Sequence, residues 1–205
     1  MAHPAPRARD TYHVGNLAPL LLSAAREMLE EVGPTKLSQR AVAERVGVSS
    51  AAAYHHYANR AELIGHLAAQ GFGELAQALS QRELRWTGID KLRDASLIYF
   101  RFARSNPALY QLMFGPEFTT GEMTPALTAA REKAFGELKS TIAEILQRDP
   151  QAAEVRRAAR AAWSFIHGLT SLVIHGVLQI PPGLSEGRFL NDTLQAFGHL
   201  FQSKQ

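Results

Sequence analysis

Cysteine is absent from this chain of 205 residues, which excludes disulfide frameworks and cysteine-based zinc sites and fits a reducing cytoplasm. Long apolar runs are missing too. Arg, His, Gly or Pro interrupts each hydrophobic stretch within a few residues, so no transmembrane helix is expected. The opening segment, MAHPAPRARD, is basic but has no apolar region behind it, so it does not read as a signal peptide. The overall charge imbalance is small: the formal net charge is +3, which says little about partners. No stretch shows the apolar–polar alternation of a half-buried strand.

What is present is helical spacing, in a chain whose 46% hydrophobic content suffices for a packed core. The pattern predicts an all-α fold of about nine helices. Residues 1–13 read as a disordered basic arm. A first helix is predicted over 17–32, with Asn16 as N-cap and an apolar stripe of Leu17, Leu20, Leu21, Ala24, Ala25, Met28, Leu29 and Val32. Gly33-Pro34 should stop it. Two short helices follow over 39–46 and 50–57, capped by Ser38 and Ser49, with Gly47 as a left-handed C-cap between them. Asn59-Arg60-Ala61-Glu62 reads as a capping box. It opens a long helix with Leu63, Ile64, Leu67, Ala68, Phe72, Leu75, Ala76 and Leu79 on one face, expected to end near 86–88. Proline and glycine breaks then divide the remainder into helices over roughly 90–105, 107–114, 125–147, 150–179 and 185–203.

Two short helices joined by the tight turn Gly47-Val48-Ser49 form a helix-turn-helix pattern. A helix entering a major groove, about 12 Å wide, needs small residues where its backbone approaches the bases. Ser50, Ala51 and Ala52 supply them. Tyr54, His55 and His56 lie further along the face that would be exposed, and Ala53 and Tyr57, four apart, suit docking inward. Between residues 36 and 60 the basic side chains Lys36, Arg40, Arg45 and Arg60 face one acid, Glu44. On charge alone that excess fits a phosphate-facing surface or an ordinary solvated face. Tyr54 taken alone also reads as a half-buried aromatic. His55 and His56 point about 100° apart on a helix and cannot form an i, i+4 metal pair.

Residues 17–64 resemble the DNA-binding domain of the TetR family, the tetracycline-repressor-like regulators. The matching elements are A-A-x-x-x-L-x-x-x-G at Ala24 to Gly33, V-A-x-x-V-G-V-S at Val42 to Ser49, the aromatic block Tyr54-His55-His56-Tyr57, and Asn59-Arg60-Ala61-Glu62-Leu63. Three departures are Tyr57 for the usual Phe, Ala53 for Leu and Arg60 for Lys, and Ala53 is expected to loosen the packing under the recognition helix. The resemblance implies that Gln39 and Arg40 open the second helix towards phosphates, and Gln39 or Arg40 towards a base. It implies that Ser49, Ser50, Ala51, Ala52, Tyr54 and His55 belong to the reading face, and that His56 and Arg60 hold phosphates. The resulting division is a helix-turn-helix domain over 14–60 and a ligand-binding and dimerisation domain over 61–205.

Further on, Asn106-Pro107-Ala108-Leu109-Tyr110-Gln111-Leu112-Met113-Phe114 and Trp163-Ser164-Phe165-Ile166-His167-Gly168 resemble segments of one TetR subfamily, the second its W-x-x-x-H-G motif. Trp163, His167, Thr170 and Ile174 share one helical face. His167 there is either a core histidine bonded to a backbone carbonyl or a polar group lining an apolar pocket. Phe100, Met113, Phe114, Phe118, Phe135, Trp163 and His167 are the candidate ligand contacts.

An enzyme, such as a metal-dependent hydrolase in a helical bundle, would need paired Glu-x-x-His motifs. The sequence has none, so no metal, cofactor or catalytic residue is expected. A protein-only helical adaptor would leave the small residues Ser50 to Ala52 without a purpose. The expectation is a homodimeric repressor that binds a palindromic operator in double-stranded DNA and is released by a small hydrophobic or aromatic effector. Its dimer seam would be Leu190, Leu194, Phe197 and Phe201 against Ala162, Phe165, Leu169, Leu172 and Val173.

Overall fold

The computed structural model describes residues 17–81, 85–118 and 123–199. The expected arm, the Asn16 cap and Phe201 lie outside the described residues. Within them the chain is all helical. It runs through α1 (Leu17–Lys36), α2 (Gln39–Val46), α3 (Ser50–His56), α4 (Arg60–Ser80), α5 (Ile89–Ser105), α6 (Pro107–Met113), a single 3-10 turn at Pro116–Phe118, α7 (Pro125–Leu146), α8 (Ala153–Ile174) and α9 (Glu186–His199).

Side-chain caps set most of these starts. Ser38 accepts a bond from the Ala41 N–H, Ser49 from that of Ala52, Asn59 from that of Glu62 and Thr124 from that of Leu127. Gly47 closes α2 in the left-handed region at φ 79°. The expected capping box forms with a shift: the Glu62 carboxylate reaches back to the N–H of Ala58, one residue before the cap, at 2.6 Å.

Three helices differ in their bounds from the sequence expectation. Gly33 does break α1, at φ 76° and ψ 168°, but the chain resumes a helical turn beyond it to Lys36. The long helix α4 ends at Ser80 rather than near 86–88. Its apolar stripe lapses after Leu79, and the Gln81 N–H turns back to the Gln77 and Ala78 carbonyls. α8 is shorter at both ends. The Asp149 side chain and carbonyl hold Gln151 and Ala152 in a turn, and Gly176, at φ 71°, ends the helix by letting Val177 and Leu178 bond back to Leu172.

α4 organises the packing. It lies along α7, crosses α6 and receives α1. Leu63, Ile64, Leu67, Phe72 and Leu75 of α4 join Leu21, Leu29, Leu109, Leu112 and Phe100 in one buried apolar cluster. A smaller cluster, Leu138, Ile142, Ala143, Val155 and Ala159, seals α7 against α8. α6 packs on both α1 and α4, so it stands between the N-terminal helices and the rest.

Candidate nucleic-acid interface and adjoining clefts

α3 is held from beneath. Ala53 and Tyr57 are buried as expected, and the Tyr57 hydroxyl donates to the Ala18 carbonyl at 3.1 Å. The looseness expected at Ala53 is offset by Gln39. Only 3% exposed, Gln39 crosses from α2 and donates its amide to the carbonyls of Ala53 and Tyr57 at 3.4 and 2.5 Å. This corrects its expected outward role: its amide faces α3, where a buried polar group needs partners.

The opposite edge of α3 is free of protein cover. Tyr54 is 47% exposed, Ala51 and His55 are exposed, and Ser50, Ala52 and His56 are half-buried. Ser49 and Arg40 are exposed beside them. Ser49 commits its hydroxyl oxygen to the cap of α3. Arg60 turns the other way from its expected course. Its guanidinium donates to the Leu37 carbonyl at 2.8 Å and the Pro34 carbonyl at 2.5 Å, tying the start of α4 to the loop between α1 and α2. Arg45 makes a two-pronged pair with Glu31 at 3.0 and 2.6 Å. That pairing holds the Glu31 carboxyl below its ordinary range and cancels one of the counted positive charges.

The second region centres on His167. The Tyr110 and Tyr99 hydroxyls lie 2.7 and 3.0 Å from its Nδ1, and Ser171 Oγ lies 3.5 Å from Nε2. Burial pushes both phenols up and His167 down from its ordinary value, so the tyrosines stay protonated beside a neutral imidazole, and the Tyr99 hydroxyl also donates to that of Tyr110 at 3.3 Å. His167 is thus held by side chains, not by the backbone carbonyl of the plainer expectation.

Two clefts open around this group. One, of about 440 Å3, lies between the end of α6 and α8 and is lined by Tyr110, Phe114, Glu117, His167 and Ser171; Pro34 and Thr35 form its far wall. The other, of about 330 Å3, is lined by Phe72, Phe114, Arg131, Phe135 and Trp163. Phe114 belongs to both, its ring 4.4 Å from that of His167 and 5.2 Å from that of Phe72. A third, much smaller space of about 20 Å3 is lined by Tyr99, Trp163 and Ile166.

Four of the seven candidate ligand contacts therefore come together: Phe114, Phe135, Trp163 and His167. Phe118 is half-buried nearby, with the Arg131 guanidinium 5.9 Å from its ring. The other two are corrected. Phe100 is fully buried and packs on Phe189 of α9, and Met113 is fully buried under α4. Both are core, because their helices present those positions to α9 and α4. Ser171, Glu117 and the Pro34-Thr35 wall were missed. Ser171 could have been found, since it stands four residues after His167 on the same helix. The Pro34 wall could not, because only the packing of α6 on α1 brings it there.

Residues 21–67 match the family described as bacterial regulatory proteins, tetR family, and residues 92–197 match the tetracyclin repressor-like C-terminal domain. No curated protein matches the chain in sequence. A solved protein of unknown function from Rhodococcus sp. RHA1 is similar: it is 25% identical with a TM-score of 0.75, over 93% of this chain and 98% of that one. PfmR, a TetR family transcriptional regulator from Thermus thermophilus, is 18% identical with a TM-score of 0.59, over 88% of this chain and 95% of that one. The multidrug binding protein EbrR, solved with imidazole, is 16% identical with a TM-score of 0.59, over 94% of this chain and 96% of that one. The last two are likenesses of fold.

Proposed function

This chain belongs to the TetR family of DNA-binding transcriptional regulators, and we propose that it acts as a cytoplasmic homodimeric repressor released from a palindromic operator by a small aromatic or hydrophobic effector. Residues 17–60 read the operator, and the helices from residue 61 onward sense the effector and dimerise. On the DNA side, α3 enters the major groove with Ser50, Ala51 and Ala52 close to the bases. Tyr54 and His55 reach base edges or thymine methyls, and Arg40, Ser49 and His56 meet phosphates. Gln39 and Arg60 support this face from behind.

One observation carries the effector half of the proposal. The cleft around Phe114 and His167 has Pro34 and Thr35 as a wall, so an effector there touches the DNA-reading head directly. Pro34 and Leu37 are both held by Arg60, so a push on the wall reaches the start of α2 and the start of α4 together. The likeness of fold to a multidrug binding protein is consistent with a cleft that takes small aromatic molecules. By linkage, effector and operator weaken each other equally, typically by about 1–3 kcal/mol.

The test begins with selection of an operator from random duplexes, followed by effector titration of the complex. Wild type should bind one palindrome with steep salt dependence and lose it on effector addition. Phe114→Ala and His167→Gln should keep operator binding and blunt the response. Binding that is equally strong to all duplexes would refute the repressor reading, and an intact response in both variants would refute the location of the effector.

A further inference from the structure

Resting on the effector cleft just proposed, we infer that its ligand is a cation: a flat aromatic body carrying a protonated amine or amidine group, with Glu117 as the counter-charge. Among the residues lining the cleft, Glu117 is the one with a formal charge at neutral pH. Its Oε2 is shielded from solvent and has no hydrogen-bond partner. A carboxylate oxygen turned inward without a donor is costly, and a cationic N–H group is the partner that relieves that cost. The position is built for it. Gly115 lies against the carboxylate, and a Cβ there would fall 2.3 Å from Oε2 and 2.8 Å from the Gln111 carbonyl oxygen. The absent side chain is what lets the carboxylate lie against the backbone there, in the wall of the cleft.

The rest of the lining agrees in kind. Phe114 offers an aromatic face, which attracts a cation and stacks on a flat ring. His167 contributes no opposing positive charge, because burial favours its neutral form and its Nδ1 is already hydrogen-bonded to the tyrosines. The His175 Nδ1 faces the Ser171 carbonyl at 2.7 Å, so its proton there is committed to the backbone. The volume, about 440 Å3, suits a two-ring molecule.

The experiment uses one body with three charges: 4-phenylbenzamidinium, 4-phenylbenzamide and 4-phenylbenzoate. Calorimetric titration into the full-length protein should give the order cation, neutral, anion, with the cation at least tenfold tighter than the amide. Glu117→Gln should abolish that advantage while leaving amide binding within about twofold. Equal affinities, a preference for the anion, no binding by any of the three, or a cation preference that survives Glu117→Gln would each overturn the inference. The wild-type charge series stands even where the variant fails to fold. Operator release is read separately: a cation that binds through Glu117 without releasing DNA overturns the repressor mechanism and leaves the ligand class standing.

Discussion

The Arg60 guanidinium donates to two backbone carbonyls, whereas Tyr54 puts nearly half of its surface into solvent. Their variants should therefore fail differently. Tyr54→Ala should leave stability unchanged and cost about 1–3 kcal/mol of specific operator binding if the ring contacts a base. Arg40→Ala should weaken binding to all duplexes alike and reduce the salt slope by about one. Arg60→Ala should lower unfolding stability by about 1–3 kcal/mol, as carbonyls at the part-buried loop lose a charged donor, with the salt slope unaltered. Denaturant titration and salt-dependent binding separate the three. The inward course of Ala53 and Tyr57 was legible because short or rigid side chains follow their helix position. The inward course of Gln39 and Arg60 was not, since several rotatable bonds let one helix position serve either the groove or the neighbouring backbone. His167 adds a pH signature. Its folded value lies below the ordinary 6.5, so the unfolded chain takes up the proton more readily. Stability should be full above about pH 6.5 and decline as pH falls from there towards the lower folded value. Melting temperatures across pH 5–8 should show that decline in wild type and a flatter profile in His167→Gln.

Several helix starts were the most legible features, because Ser38, Ser49 and Asn59 announce themselves and the structure uses all three as caps. Helix ends were less so. The stop of α4 at Ser80 depends on where an apolar stripe lapses, and Trp86 made that stripe look longer than it is. What no periodicity could reveal is how closely two elements approach. α4 meets α6 at Gly71, where a Cβ would lie 2.6 Å from Met113 Sδ and 2.9 Å from Leu109 Cδ2. In sequence Gly71 is a mildly unfavourable residue inside a helix. In the fold it sets the separation of the helix leading from the head and the helix that walls the cleft. Gly71→Ala should raise local helix propensity yet destabilise the protein by about 1–3 kcal/mol through overpacking, measured by urea unfolding. Leu109→Ala in the same chain should recover part of the Gly71→Ala loss, since it removes one of the two clashing side chains.

At the scale of the whole molecule, the apolar surface left over points to a second copy. Leu172 on α8, Val177 in the turn after it and Phe197 on α9 are 45%, 73% and 43% exposed. Phe197 meets Phe165 with ring centroids 4.4 Å apart and the rings tilted by 42°, a contact between α9 and α8. Part of the expected seam is already used within the protomer, because Leu169 and Leu190 are buried in the core. The remaining side chains still form an apolar face on two neighbouring helices, and pairing it across a two-fold axis would make a four-helix interface. Such a dimer would carry two reading heads, matched to half-sites about 34–36 Å apart or somewhat more. Sedimentation should find a dimer at micromolar concentration. Leu172→Glu combined with Val177→Glu places two carboxylates in each copy's contact face, and should give a folded monomer of unchanged helicity. That monomer should keep weak, salt-sensitive binding to any duplex and lose most of its preference for the palindrome, because one head alone engages one half-site. A double variant that stays dimeric and keeps full operator affinity would put the interface on another face.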